Sequence, residues 1–322
     1  MNSPPLKDPE SRSPKHLTVS EGQAGQRLDN WLFRELKSIP KSHIYRLIRT
    51  GQVRVRGGRC RPSYRVQKGD EIRIPPQTAP NLRMPRKSAH APPDFLLQPL
   101  YEDADLLIVN KPAGLAVHGG SRISSGLIER LRDSHPEGEF LELAHRLDRG
   151  TSGCLILARS RTMLLALHRA LRNREITKSY LGLLAGSPAW KTRSLDQAVA
   201  KDRSTPGTEA GKEARSHFRI VRLWPTCALA EIAIETGRTH QIRIHAASLG
   251  HPVAGDPRYG DSAFNRRLKS VYGLNGLFLH ARSVRLLHPK THETLFIQAP
   301  LPEEHETVLA RLDAQPDSQG TG

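Results

Sequence analysis

ALAEIAIE, residues 228–235, keeps a two-residue rhythm in which one row of side chains is uniformly apolar while the other carries Glu231 and Glu235. Such alternation sets one face of a strand against a core and leaves the other less covered, the habit of antiparallel sheets. Working outward, Leu106–Val109, Cys154–Ala158, Tyr180–Leu184, Phe278–Leu287 and Leu295–Gln298 read as further strands. Helical spacing is rarer. Arg161–Arg172 places Leu164, Leu167 and Leu171 on one face after Ser160, a suitable cap, and a second helix is predicted over Gln241–Leu249, closing at Gly250. Strands outnumber helices and do not alternate with them. The expectation is therefore an α+β fold with a mixed, mainly antiparallel central sheet and flanking helices and loops, not a doubly wound one. Neither GxGxxG nor a Walker loop is present to bind a nucleotide cofactor.

Upstream the composition changes. PPQTAPNLRMPRKSAHAPP, residues 75–93, bars regular structure by its prolines, so 76–94 reads as a basic, extended linker between a small module at 21–75 and a large one at 95–302. In the small module Leu28, Trp31, Leu32 and Leu36 recur at helical spacing, as do Ile44, Leu47 and Ile48. A strand is expected where Val53 and Val55 alternate with Arg54 and Arg56, and another at Glu71–Ile74. Residues 1–20 and 303–322 are polar and rich in turn formers, and both are predicted to be disordered tails.

Lys and Arg number 49 against 32 Asp and Glu in 322 residues, a net charge of +17 that favours a polyanionic partner. An anionic membrane is the rival. Against it, apolar runs such as Leu155–Leu157 fall far short of the roughly 18 residues that begin to suggest a span. The opening MNSPPLKDPESRSPK has no apolar segment of the secretory kind, so a cytoplasmic location is expected. Cys60, Cys154 and Cys227 are too few and too scattered for a disulfide framework or a zinc site.

Three segments are denser in polar residues and glycine than a core needs. HRLDRGTSG, residues 145–153, stands directly before the strand CLILA, so Asp148 sits where a carboxylate can be held rigidly yet stay reachable; taken alone, it reads more readily as a residue that organises a turn. ETGRTHQIRIHAASLGHP, residues 235–252, offers Arg238, His240, Arg243 and His245. Its two histidines, five apart, lack a metalloprotease spacing, and a helix-end ion-pair network explains them equally well. KSYLGLLAG, residues 178–186, carries Tyr180, which by itself is an ordinary core aromatic.

Together these segments resemble the RluA/RluC/RluD family of RNA pseudouridine synthases. HRLDRGTSG, YEDADLLIVNKPAGLAVH at 101–118, GRTHQIRIH at 237–245 and LFLHA at 277–281 carry the likeness over about 95–302, and VHGG, FLELAHRLDR and the distance from FNRRLK to LFLHA lean toward the C-type branch. Gly182 stands where the family usually has alanine. GQRLDNWL, PKSHIYRLIRTGQVRVRG and KGDEIRI resemble an S4 domain, a ribosomal-type RNA-binding module, in the place this family puts one.

The resemblance implies a pseudouridine synthase fold preceded by a small α+β S4 domain, and isomerisation of specific uridines in large-subunit ribosomal RNA or its assembly precursor. Asp148 would be the nucleophile, Arg243 its ion-pair partner, and Tyr180 a residue that stacks on the base or moves a proton. Arg146 would enter the gap left by a flipped base and Leu279 would line the base pocket, while Lys111 would either be structural or meet phosphate. In the S4 module Lys41, Arg46, Arg49 and Arg54 are the candidate RNA contacts. The reaction exchanges one bond to the sugar for another without redox change, so neither cofactor nor metal is expected; nor is an obligate protein partner, and a monomer is the default. The rival readings are a synthase of the same family acting on other ribosomal or transfer RNA uridines, and a non-catalytic RNA-binding or ribosome-assembly protein.

Overall fold

The structure is a computed structural model that describes residues 14–36, 39, 41–76, 97, 99–119, 126–134, 139–199 and 211–314. The chain divides into two compact units, Met1–Phe95 and Leu96–Gly322. Most of the proline-rich linker lies outside the described residues.

In the small unit, helices α1 (Leu28–Glu35) and α2 (Lys41–Arg49) bury Leu28, Trp31, Leu32, Ile44, Leu47 and Ile48 against a three-stranded sheet. The sheet runs in the order β1 (Lys15–Thr18), β3 (Glu71–Ile74), β2 (Arg54–Val55). The second edge strand corrects the expectation of a disordered 1–20: KHLT pairs antiparallel with β3, and neighbouring Val19 is fully buried. Its alternation spans only four residues, too few to stand out from the proline-rich sequence before it. Two buried carboxylates fix the turns. Asp29 receives a two-pronged bond from Arg27, and Asp70 accepts from the Tyr64 hydroxyl and the Gln67 backbone while facing Arg56 at 2.7 Å.

The large unit is built on one sheet of ten strands. Its first half comprises β4 (Pro99–Glu102), β5 (Leu106–Lys111), β6 (Glu142–Leu143), β7 (Ser152–Ala158) and β8 (Thr177–Ala185). The second comprises β9 (Thr192–Asp196), β10 (Arg215–Trp224), β11 (Cys227–Ile234), β12 (Leu279–Leu287) and β13 (Thr294–Gln298). The spatial order is β4-β5-β7-β12-β8-β11-β10-β9, with β13 beside β12 and β6 beside β7. Every pairing is antiparallel except β7 with β12, which meet in parallel at His280–Ser152 and Ala281–Gly153. That join places the residues before β7 next to the start of β12. The α+β expectation holds.

Among the described residues, five α-helices and a π-helical segment (Leu268–Tyr272) accompany the sheet: α3 (Leu127–Ser134), α4 (Arg161–Arg172), α5 (Gln241–Ser248), α6 (Ser262–Arg267) and α7 (Glu303–Ala314). Helix α4 starts as expected, with the Ser160 hydroxyl accepting from the Met163 backbone at 3.1 Å. Helix α7 corrects the expectation of a disordered 303–322. Glu303, Glu304 and Glu306 complement the positive end of the helix dipole, and Val308 and Leu312 are buried against Leu181, Leu183 and Leu229. Burial of such side chains contributes about 1.5–3 kcal/mol each, enough to dock a short amphipathic helix. Residues 315–322 lie outside the description. Strand β10 was also not anticipated; Ser216 and Phe218 are its buried residues, and exposed His and Arg hide the alternation. Among the described residues, no helix is long and apolar enough to cross a membrane.

Gly153 shows how tightly the parallel join is made. Its φ is +105°, and a Cβ there would stand 2.2 Å from the carbonyl oxygen of Ala281 on β12. Gly153→Ala should therefore spread the join and lower stability by roughly 1–3 kcal/mol through backbone strain alone. Thermal unfolding measures this, and an unchanged midpoint would show that the join yields freely.

Candidate active site

Asp148 lies in the loop entering β7, and two sets of backbone contacts hold that loop. Its own carbonyl accepts from Thr151 N at 3.1 Å, and the next residue is laced to the loop after β5. There Gly114 N donates to Arg149 O, and Arg149 Nε donates to Gly114 O, both at 2.8 Å. Lys111 completes the lacing: fully buried, its Nζ donates to the carbonyls of Pro112, Leu115 and Arg149. Burial lowers its pKa to about 8, with the Asp148 charge acting in the opposite sense. A lysine so enclosed and bonded to three carbonyls favours the structural of its two readings over a phosphate contact.

The HRLD run alternates inward and outward. His145 Nε2 accepts from Ile156 N at 3.1 Å and Leu147 enters the core, whereas Arg146 is exposed. The Asp148 side chain remains 18% exposed and so is within reach of a substrate. Opposite it, Arg243 on α5 donates Nη1 to Asp148 Oδ2 at 3.2 Å. The rest of that guanidinium is fixed by fully buried Asp256, which accepts from Nε at 2.7 Å and Nη2 at 2.8 Å. Burial alone would raise the Asp256 pKa, but the Arg243 fork and the backbone N–H groups of Arg258 and Tyr259 outweigh it and leave the pKa lowered. The outcome is one buried cation between two carboxylates, one closed off and one facing out.

Helix α5 is itself anchored to β10. Gln241 donates to Arg215 O and Ser216 Oγ and accepts from Thr236 Oγ1 and Arg238 N, while His245 bonds Ser216 Oγ and Gln197 O. His245 is thus a structural residue. Among the described residues, no group of three or more His, Cys, Asp or Glu could hold a metal ion. Tyr180 is 6% exposed and packs in one cluster with Leu147, Ile242 and Leu279. Burial, and after it the Asp148 charge, raise its pKa, so its phenol stays protonated at neutral pH and can donate a hydrogen bond. Leu279 pairs across the sheet with Gly182, where a Cβ would come within 3.1 Å of Ile232 Cδ1 and 3.5 Å of Leu279 Cδ1. The gap is too narrow for a methyl without a shift of Ile232, so glycine lets these two apolar walls close on each other.

A reachable carboxylate, a nearly enclosed arginine bonded to it and a buried tyrosine that feels its charge thus stand together at the loop before β7. Residues 105–248 match the RNA pseudouridylate synthase family model and residues 26–72 the S4 domain. "Ribosomal large subunit pseudouridine synthase C" of Haemophilus ducreyi is 44% identical to this chain over 95% of it and 98% of the relative. The chain belongs to the RNA pseudouridylate synthase family. The Escherichia coli K12 protein of the same name is 42% identical over 94% of this chain and 98% of its own. Among solved structures, Human RNA Pseudouridylate Synthase Domain Containing 4 superposes with a TM-score of 0.57 at 27% identity, covering 67% of this chain and 92% of that one.

In this pseudouridine synthase the structure brings together Asp148, Arg243, Tyr180 and Leu279, with Arg146 on the exposed side of the same loop. The sequence reading did not find Asp256 or Tyr259. Their segment, GDPRYG at 255–260, looks like a surface turn and shows no periodicity, and only the fold carries it beneath Arg243.

The S4 module adds a second set of basic residues. Arg46 and Arg49 are exposed on α2 and, with Tyr45, Arg59 and Arg61, line a depression of about 650 Å³; an adjoining one shares Arg59, Cys60 and Arg61. Arg59 and Arg61, hidden in the turn-like GGRCRPS, were not among the expected contacts. Arg54 Nη1 donates instead to Gly57 O at 3.2 Å, and the Lys41 side chain lies outside the description. Neutralising Arg46 and Arg49 together should lower the slope of log affinity against log salt by about 1.4–1.8 if both meet phosphates. An unchanged slope in filter binding would show them to be merely solvated.

Proposed function

We propose that this enzyme converts specific uridines of large-subunit ribosomal RNA, or of its assembly precursor, to pseudouridine, with the target set of the C-type branch. The observation that carries the catalytic part is the Asp148–Arg243–Asp256 array: a reachable carboxylate whose counter-cation is fixed from behind by a second, closed carboxylate. The likeness to the Haemophilus and Escherichia proteins over nearly their whole lengths supports the choice of RNA. A monomer acting in the cytoplasm completes the reading.

In the reaction the bond from the sugar C1′ to uracil N1 breaks, the base turns, and a bond forms from C1′ to C5; C5 loses a proton and N1 gains one. No oxidant, reductant or water is consumed. Asp148 serves as the covalent or electrostatic partner of the detached fragment, and Arg243 complements its negative charge from 3.2 Å away. A uridine in structured RNA must first leave its stack, at a cost of a few kcal/mol. Exposed Arg146 is placed to fill the gap, since a guanidinium plane stacks on bases. Leu279 lines the base pocket. Tyr180, its hydroxyl protonated, stacks on the uracil and hands a proton on during the rearrangement.

The test is nucleotide-resolution pseudouridine mapping in cells lacking this protein, complemented with wild type or with Asp148→Asn. Loss of a few large-subunit sites, restored by wild type only, is the expected result. No lost site in any RNA would leave an RNA-binding protein without this activity, and losses confined to transfer RNA would relocate its substrate.

A further inference from the structure

His240 has a geometry that the roles of Asp148, Arg243 and Tyr180 leave unexplained. It precedes α5 with φ 57° and ψ 20°, in the left-handed region, and its side chain makes no capping bond. Were helix initiation the purpose, Ser, Thr, Asp or Asn in extended backbone would serve better. Histidine visits the left-handed region more readily than bulky or β-branched residues do, but the conformation is uncommon, and such backbone outliers concentrate at functional sites. The ring stands between two partners. Its Nδ1 is 3.1 Å from the Tyr259 hydroxyl and its Nε2 is 3.9 Å from Asp148 Oδ2, the oxygen that Arg243 also addresses.

Tyr259 is held in turn. Its backbone N–H donates to Asp256 Oδ1 at 3.1 Å, and the guanidiniums of Arg243 and Arg258 lie 5.2 and 5.3 Å from its ring centre. A nitrogen lone pair pointed at a carboxylate would be repelled. The favoured neutral tautomer therefore carries its proton on Nε2, with Nδ1 accepting from the Tyr259 hydroxyl.

We infer that His240 is a positioning residue that presents its Nε2–H to Asp148, so that with Arg243 it addresses Oδ2 and leaves Oδ1 to meet the sugar. This rests on the reading of Asp148 as nucleophile. The 3.9 Å gap is longer than a hydrogen bond, and a small rotation of the carboxylate as the uridine seats closes it. An uncharged donor suits this place: it orients the carboxylate without the loss of nucleophilicity that a second cation would bring. The groups facing the ring are Asp148, Arg243, Arg258, Asp256 and Tyr259. Burial is the largest influence and lowers the His240 pKa; the two carboxylates oppose it and the two arginines add to it. The ring is thus neutral at physiological pH. Protonation as the pH falls would set an imidazolium beside Asp148 and slow the reaction.

The experiment measures single-turnover pseudouridine formation by the full-length protein on a large-subunit ribosomal RNA transcript, across pH. His240→Phe keeps a ring but removes the donor; His240→Gln keeps a donor. His240→Phe is expected to lose on the order of 10- to 100-fold in rate, the scale of a misplaced reacting group, with little change in RNA affinity and without the acid limb assigned to His240. His240→Gln should recover most of that loss. Tyr259→Phe removes only the hydroxyl that sets the tautomer. It should cost several-fold in rate and shift the same limb, which keeps the inference testable if His240→Phe does not fold.

Wild-type rate and pH profile in His240→Phe, a His240→Gln as slow as His240→Phe, or an unaltered Tyr259→Phe would each overturn the inference. The underlying reading is judged separately by whether wild type forms pseudouridine and Asp148→Asn does not.

Discussion

Asp148→Asn should abolish pseudouridine formation while leaving RNA affinity and thermal stability close to wild type. The amide has the same size and can still accept from Arg243 Nη1 and face the open side of the loop. It lacks the negative charge and the nucleophilic oxygen that a covalent or electrostatic partner of the sugar requires. Loss of a nucleophile that acts with its neighbours as a unit lowers turnover by roughly 10⁴-fold or more, which places this variant below detection in an ordinary assay. Binding should survive, because Arg146 and the arginines around the S4 depressions are untouched. The measurement pairs single-turnover modification with equilibrium binding of the same transcript. Wild-type turnover in Asp148→Asn would remove Asp148 from the chemistry, and a loss of binding to match the loss of rate would make its role one of recognition.

Why Asp148 stood out in the sequence as a candidate, and Asp256 did not, is a matter of distance along the chain. Asp148 lies in a nine-residue run next to an apolar strand, where glycine and polar residues depart locally from what a core needs. The long strands and α4 were legible for the same reason, since alternation and helical spacing are local properties of a segment. Strand β1, strand β10 and helix α7 failed that test in three different ways. β1 is four residues long, β10 buries only Ser216 and Phe218 and exposes Val221 and Leu223 alongside His217, Arg219 and Arg222, and α7 has two apolar anchors within a polar sequence. Their places are decided by tertiary partners: β3 for the first, β9 and β11 for the second, and the cluster around Leu181 for the third.

The site follows the same division. The chemistry-bearing types in HRLD and GRTHQIR could be picked out, but Lys111 could not be sorted between phosphate and structure until its three carbonyl partners were seen. Local sequence also hides the direction in which α5 faces. Gln241 and His245 are committed to Ser216, Arg215 and Gln197, and this fixes the opposite side of the helix, with Arg243, toward Asp148.

Asp256→Asn should be the most damaging substitution outside the reacting groups, and through charge, not volume. Arg243 is nearly enclosed, with 9% of its side chain exposed, and Asp256 is fully buried. The native arrangement sets one cation against two carboxylates; the variant leaves that buried cation with Asp148 alone, itself partly open to water. Breaking a buried pair by neutralising one partner costs about 3–5 kcal/mol, and the amide oxygen, which still accepts one N–H, places the expected loss near the lower end. For a unit of this size that corresponds to a fall of roughly 6–12 °C in Tm. Activity should fall as well, because Arg243 loses the two-pronged bond that aims Nη1 at Asp148.

The pH dependence separates this account from a packing defect. The folded pKa of Asp256 is lowered, so its contribution to stability is fully present above the unfolded value of about 4 and is lost as pH falls through the lower folded one. Asp256→Asn should therefore differ most from wild type near neutral pH, and the gap should narrow in acid as the wild-type carboxylate takes up its proton. A packing defect would leave the gap constant. Thermal unfolding of both proteins from neutral to acid pH decides between the two, and a variant with wild-type Tm at neutral pH would mean that Asp148 alone suffices to hold Arg243.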